Sequence, residues 1–310
     1  MWEMRSLLRL GVVLAVLGVV GALVGCGGGS GTSVTSGEPI SFEQLSQAAA
    51  TSAEATSGRF SFSLEMTLPE TTEAFSFSGE GAFDATTKRA AISIDFSSFA
   101  ELLGGMFAGF GGTPTDAPDF GDPDAWQIDA LQDGDVVYMR FPVLSSELPA
   151  GKSWVRLDVG QALEEQGFNF SELQELTGND PRKMLDFLRA ASDEIETVGT
   201  EELRGVRTTH YRATVNLAEY DKLVPADKQE ELRTMLGEMI EQTGLGEMPV
   251  DVWLDDFGLV RRFDLSLSAT QPGTTDAVEA RMTFELYDYG KEVDVEPPPA
   301  AEVVDASALG

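Results

Sequence analysis

Residues 59–68 read Arg-Phe-Ser-Phe-Ser-Leu-Glu-Met-Thr-Leu. Phe60, Phe62, Leu64, Met66 and Leu68 fall on one side, and Ser61, Ser63, Glu65 and Thr67 on the other. An apolar period of two, held this long, specifies a β-strand with one buried face and one wet face. The pattern returns downstream. Phe75, Phe77 and Phe83 repeat it around Gly79 and Gly81, and Ile92, Ile94 and Phe96 make a third strand. Further strands fit 126–132, 136–141, 153–159, 194–203, 206–217, 249–255, 259–269 and 278–289. Asp133-Gly134-Asp135 and Asp255-Asp256-Phe257-Gly258 supply turns between neighbours.

Helices interrupt the series. Ser41-Phe42-Glu43-Gln44 is a capping box that opens a helix running to about Thr56. Asp180-Pro181 caps a second, to about Ala191. Residues 225–243 place Leu232, Met235, Leu236, Met239 and Ile240 on one stripe, and Gly244 ends it. A meander of strands with inserted helices, without βαβ alternation, predicts an antiparallel α+β fold. A single open sheet of about ten strands must curl strongly.

The apolar strand face has two readings. One is ordinary core beneath the helices. The other is the wall of an apolar cavity, lined by Phe60, Phe62, Leu64, Met66, Phe75, Phe77, Phe83, Ile92 and Ile94. Phe and Met predominate over Val and Ile on the first two of these strands, and flexible Met suits surfaces that repack around varied ligands. Gly79 and Gly81 either leave that face locally unfilled or let the sheet bend. Residues 97–112 belong to the same question. Phe99, Leu102, Leu103, Met106, Phe107 and Phe110 share a helical face behind a capping box at Ser98. Gly104, Gly105, Gly109, Gly111 and Gly112 weaken that helix, by roughly 1 kcal/mol for each interior glycine. The segment reads either as a soft lid adding Phe99, Leu103, Met106, Phe107 and Phe110 to the cavity, or as a core helix with a frayed end.

The N-terminus carries an address. Arg5 and Arg9 precede an apolar run from Leu10 to Leu23, too short to span a bilayer as a helix, and small residues follow. Leu23-Val24-Gly25-Cys26 resembles the bacterial lipobox, in which the cysteine is lipidated and becomes the first mature residue. The expected organisation is a signal peptide over 1–25, a lipidated flexible tether over 26–40, one domain over 41–295 and a disordered tail over 296–310. Residues 27–39, rich in Gly, Ser and Thr, suit a tether. The expected location is the extracytoplasmic face of the cell membrane, held by two or more acyl chains on Cys26. As the only cysteine, a lipidated Cys26 leaves no disulfide.

Composition excludes several classes. A formal charge of −31 makes nucleic acid an unsuitable partner, because phosphate backbones need clustered Lys and Arg. His210, the only histidine, shares a strand face with Thr208, Arg212 and Thr214, opposite Tyr211, Ala213 and Val215. It reads as a solvent-facing strand residue. No serine sits in a G-x-S-x-G context, and there is no P-loop or dinucleotide fingerprint. Asp255-Asp256 reads as a turn. Asp116, Asp119, Asp122 and Asp124 miss the EF-hand spacing and read as a solvated acidic loop. No catalytic residue, metal or cofactor is expected.

The second half carries a family pattern. From Asn179 it reads N-D-P-R-K-M-L-D-F-L-R-A-A, then V-G-T-E-E-L-R-G-V-R-T-T-H-Y-R-A-T-V-N-L, and later P-V-D-V-W-L-D-D-F-G-L-V-R-R-F. These motifs resemble the actinobacterial lipoproteins of the LppX/LprAFG family, within the LolA/LolB-like group. The matching residues are Gly199, Gly205, Thr208, Tyr211, Trp253, Asp255, Gly258, Leu259 and Arg262, with Trp154 in a further strand. The resemblance covers about residues 41–292, sharply in the second half and by strand pattern in the first. It implies a half-open barrel of antiparallel strands with helices on the concave side, enclosing an apolar cavity, and carriage of acylated lipids across the cell envelope; a monomer with lipid or a lipidated ligand as partner is expected. The alternative is a structural or sensory envelope module that uses the same fold for protein contacts.

Overall fold

The computed structural model describes residues 39–53, 55–67, 74–101, 104, 121–159, 195–216, 229–230, 233–234, 237, 240–241, 244, 246–270 and 277–309. One α-helix, α1 (Phe42–Ala53), precedes the strands. The capping box forms as read: the Ser41 N–H donates to Gln44 Oε1 at 2.8 Å and the Gln44 N–H to Ser41 Oγ at 3.3 Å. The strands are β1 (Ser57–Thr67), β2 (Ala74–Asp84), β3 (Arg89–Asp95), β4 (Gln127–Asp133), β5 (Val136–Arg140) and β6 (Trp154–Asp158). They continue with β7 (Ile195–Leu203), β8 (Val206–Asn216), β9 (Glu247–Asp255), β10 (Val260–Thr270), β11 (Ala277–Tyr287) and β12 (Val303–Asp305). All twelve make one curved, unclosed sheet in the order β12-β6-β5-β4-β3-β2-β1-β11-β10-β9-β8-β7.

Neighbouring strands are antiparallel except β12, which runs parallel to β6. The first and last long strands of the meander meet at the centre, where β1 pairs with β11. The alternation read in residues 59–68 therefore lies mid-sheet. Residue 68 and the predicted helix at 180–191 lie outside the described residues. Of the stripe at 225–243, residues 229–230, 233–234, 237, 240 and 241 are helical, and the Gly244 N–H closes on the Ile240 carbonyl at 2.7 Å. No described helix is long and apolar enough to cross a membrane.

Two core clusters form on the sheet's apolar face. Ile40, Leu45 and Ala48, from α1 and the residue before its cap, pack with Tyr211, Val215, Val250, Val252 and Leu254. Phe60, Phe83, Ile92, Ile94, Val137 and Met139 form the second, toward β5. Ser52 pins the C-terminal end of α1, its Oγ accepting from the Val260 N–H at 2.7 Å.

The tail departs from expectation. Residues 296–310 read as disordered, yet β12 extends the sheet at its edge: Arg156 Nη1 donates to Asp305 Oδ2 at 2.9 Å, and Lys152 Nζ to the Ala301 carbonyl at 2.9 Å. A three-residue strand is too short to show alternation, and its partner β6 lies far away in sequence. The pairing satisfies the edge hydrogen bonds that β6 would otherwise expose.

Gly79 and Gly81 do not leave the apolar face unfilled. A Cβ on Gly79 would meet the Phe62 ring at 2.6 Å and the Ser93 carbonyl at 2.7 Å; one on Gly81 would strike the Phe60 ring and the Ala91 carbonyl. The rings of β1 lie over the glycines of β2, their cross-strand partners. Gly81→Ala is expected to lower stability by about 1–3 kcal/mol, since neither backbone nor a fully buried ring can yield freely. Gly199→Ala, which meets open space, should leave the urea midpoint near wild type.

Candidate functional site

The strand registers assemble the predicted cavity residues on one surface. Phe60 faces Gly81 on β2 and Leu286 on β11; Leu64 faces Phe77 and Met282; Met66 faces Phe75 and Ala280. β3 continues the surface, Ile92 and Ile94 standing opposite Gly81 and Gly79. On the other flank, Phe263 and Leu265 of β10 stand opposite Phe284 and Met282.

Burial changes along β1. Phe60 is fully buried, as are Phe83, Ile92 and Ile94. Phe62, Leu64, Met66, Phe75 and Phe77 are only half-buried, and Phe99 is 36% exposed. One end of the apolar face is thus sealed core, and the other presents large side chains in partial contact with solvent.

At the open end the rings interlock. Phe62 meets Phe77 edge-on at 6.2 Å between centroids, Phe75 meets Phe77 at 6.0 Å and Phe99 at 5.6 Å, and Phe77 stacks on Phe96 at 5.3 Å. Each such pair contributes about 0.5–1.5 kcal/mol beyond its buried area. Phe99 is carried by the helical turn from Ser97. The turn begins before Ser98, the Phe99 and Ala100 N–H groups donating to the Phe96 carbonyl at 3.0 and 3.1 Å and the Ser97 N–H to Asp95 Oδ1 at 2.8 Å, while Ser98 Oγ accepts from the Ser76 N–H at 3.3 Å. The expected capping box at Ser98 is thereby replaced by a tie to β2.

Leu103, Met106, Phe107, Phe110 and Cys26 lie outside the described residues. The structure adds Phe96, Leu265, Met282 and Phe284 to the surface. Their alternation is visible in the sequence, but the pairing of β11 with β1 that brings them there is not. Two clefts, of about 440 and 420 Å³, lie elsewhere; of the predicted residues they include only Phe62, at the edge of the smaller.

The opposite face is cross-braced by polar pairs, beside a small apolar cluster of Ala82, Leu131 and Val295. His210 does share it with Arg212, as read, yet its side chain is 13% exposed and not solvent-facing. It stacks on Trp253 at 4.1 Å and bonds Asp251 Oδ1 at 2.5 Å, while Arg212 donates to the same oxygen at 2.9 Å. Asp255 is buried and organises its turn, accepting from the Phe257 and Leu259 N–H groups at 2.9 Å each and from Arg261. Among the described residues no group of three or more His, Cys, Asp or Glu side chains is placed to hold a metal.

Asp264 is a second enclosed brace. Its side chain is 3% exposed and receives Arg262 at 2.8 Å and Arg281 at 2.7 Å. Burial pushes its carboxyl pKa up, but the hydrogen bonds from Arg262 and Arg281 outweigh this and hold it below the ordinary value. A depressed folded pKa means stability present above the unfolded value of about 3.9 and lost as pH falls through the folded one. Asp264→Asn is therefore expected to lower stability by about 2–3 kcal/mol at neutral pH. It should also flatten the acid limb of a stability-against-pH profile; an unchanged acid limb would refute the assignment.

No family model matches the chain. It is 30% identical over 156 residues to an uncharacterised 31.2 kDa protein of Streptomyces griseus, covering 50% of this chain and 48% of that one. It is 27% identical over 179 residues to a candidate lipoprotein of Streptomyces coelicolor, covering 56% of this chain and 50% of that one. The chain thus spans about half the length of the curated relatives it matches. Among solved structures, the lipoprotein LppX of Mycobacterium tuberculosis aligns over 82% of this chain and 96% of its own, with 12% identity and a TM-score of 0.38. LprF of Mycobacterium bovis aligns over 84% and 99%, with 13% identity and a TM-score of 0.39. A LolA superfamily protein of Nitrosomonas europaea aligns over 84% and 96%, with 6% identity and a TM-score of 0.23. Solved structures that this chain is similar to thus include two lipoproteins and a LolA superfamily protein.

Proposed function

We propose that this chain is a non-enzymatic envelope lipoprotein, monomeric and tethered through lipid on Cys26 to the extracytoplasmic face of the cell membrane. Its unclosed sheet forms a half-open barrel that binds lipid or acyl chains on the apolar face of β1, β2, β10 and β11. The carrying observation is the burial gradient along β1. A face that ended in sealed core throughout would bury Leu64 and Met66 as it buries Phe60; instead Leu64, Met66, Phe75 and Phe77 stay half-buried beside the exposed edge of Phe99. Acyl chains require apolar surface with few polar groups, and this surface presents carbon and the thioethers of Met66 and Met282. A tether from Cys26 that ends before the core residue Ile40, rather than including it as expected, keeps such a site near its own membrane, which favours local handling of lipid over long-range ferrying.

A competing reading has one observation on its side. The Phe60 and Phe62 rings sit on Gly81 and Gly79 as packing, as in the filled core of a structural or sensory module. Uptake of a fluorescent fatty acid by delipidated protein separates the two. We expect a saturable, fixed ratio, and Met66→Asp should weaken uptake at least about tenfold, because a charge on the face must be desolvated. Ser63→Asp, on the opposite face, should bind as wild type. No uptake by the wild-type protein would leave the module reading in place.

The anchor has its own test. Cys26→Ser should release the chain from the membrane fraction and remove the diacylglyceryl mass from the mature protein. Persistent membrane association without lipid would overturn the tether.

A further inference from the structure

The chain that follows β11 crosses the sheet a second time. Arg59, Ala82, Ala91, Leu131, Tyr138 and Arg156 stand opposite one another on β1 to β6, in one register row on the face away from the ligand surface. Tyr287 of β11 extends the row beyond Arg59, and Asp305 of β12 extends it beyond Arg156. At about 4.8 Å per strand the row is roughly 34 Å long. The segment between these two residues thus leaves the sheet at one end of a row and rejoins it at the other.

It also lies down along that row. Val293 and Val295 alternate with the exposed Glu292, Asp294 and Glu296, and the valines pack with Ala82, Ala91, Leu131 and Tyr138. Hydrogen bonds fasten the segment at three places. Beside β1 the Gly290 N–H donates to the Ser57 carbonyl and Ser57 Oγ to the Lys291 carbonyl, both at 2.9 Å. Midway, Arg89 Nη1 donates to the Val295 carbonyl at 3.3 Å, while its Nε donates to Asp133 Oδ1 at 2.9 Å. At the far edge the Ser153 N–H donates to the Glu302 carbonyl and Lys152 Nζ to the Ala301 carbonyl, each at 2.9 Å. Pro297-Pro298-Pro299 fills the interval between the last two ties. A proline run has no N–H donors and keeps an extended, semi-rigid backbone, so this stretch is a spacer of set length.

We propose that residues 288–305 are a strap that sets the curvature of the β1–β6 half of the sheet, and through it the opening of the apolar face. An unclosed sheet changes curvature through small changes of twist at each ladder, which add across the strands. β4, β5 and β6 have only seven, five and five residues, so their ladders resist such changes least. A spacer fastened at both ends and at the middle of the row removes that freedom. The same strands carry Val137 and Met139 into the sealed core beside Phe60, so a movement of this wing is felt on the ligand side. The effect on ligands rests on the lipid-binding reading of that face; the hold on curvature does not.

The test places spin labels on cysteines at the exposed Glu279 and Asp135, in the full chain carrying Cys26→Ser, and measures their separation without lipid. Val295→Asp sets a charge beneath the strap and should release it. We expect the mean separation to shift by roughly 2–3 Å, half a strand spacing. Fatty-acid affinity should change about tenfold in the same variant. Val293→Ser, at a half-buried strap position, should move both readouts the same way by less. Asp294→Asn, on the outward side, should leave both at wild-type values. Unchanged separations in Val295→Asp and Val293→Ser overturn the strap. Shifted separations with wild-type affinity overturn its control of the apolar face. Absence of uptake by the wild-type chain removes the lipid reading, and the separations then decide the strap alone.

Discussion

The seating of β1 phenylalanine rings on β2 glycines is the contact on which this molecule turns. Phe60 over Gly81 and Phe62 over Gly79 fix the register of two central strands, because a one-residue slip would carry every ring to the polar face. That register propagates in both directions, through β3 to β6 on one side and β11 to β7 on the other. A sheet this wide has one apolar face to cover, and α1 covers only the portion over β8 to β10. The proposed lipid face is the portion that α1 leaves.

Position along β1 decides what each phenylalanine does. Phe60 and Phe83 close the sealed end, with Phe284 stacked at 5.6 Å, and act as core. Phe62, Phe75 and Phe77 belong to a looser aromatic cluster in which no ring is completely enclosed. Identical residue types thus divide between packing and presentation according to distance from the α1 terminus at Ser52 and Val260. A ligand-binding surface formed this way grows out of the core without a boundary.

The polar face follows a different logic in a strongly acidic chain. Its few arginines are spent in braces such as Arg262–Asp264–Arg281, Arg140–Asp129 and Arg89–Asp133, where buried or half-buried carboxylates need partners. Concentrating cations there leaves the remaining carboxylates to solvent. Arg204 joins the same pattern from further away, its hairpin tip reaching across β9 and β10 to pair with Glu285 of β11.

By itself the sequence determined the strands, their apolar face, the α1 cap and the turn at Asp255, since each depends on local period or on a hydrogen bond within four residues. It also determined the lipobox resemblance at Cys26 and the motifs from Gly199 to Arg262. Only the tertiary structure decided which strands meet. The β1–β11 pairing joins residues more than 200 apart and adds Met282 and Phe284 to the ligand face. The parallel β12–β6 pairing turns an apparent tail into an edge strand. His210 lost its solvent because Trp253 covers it from a strand that alternation could not place beside it. Burial is a property of what lies above a face, and period two names the face without naming its cover.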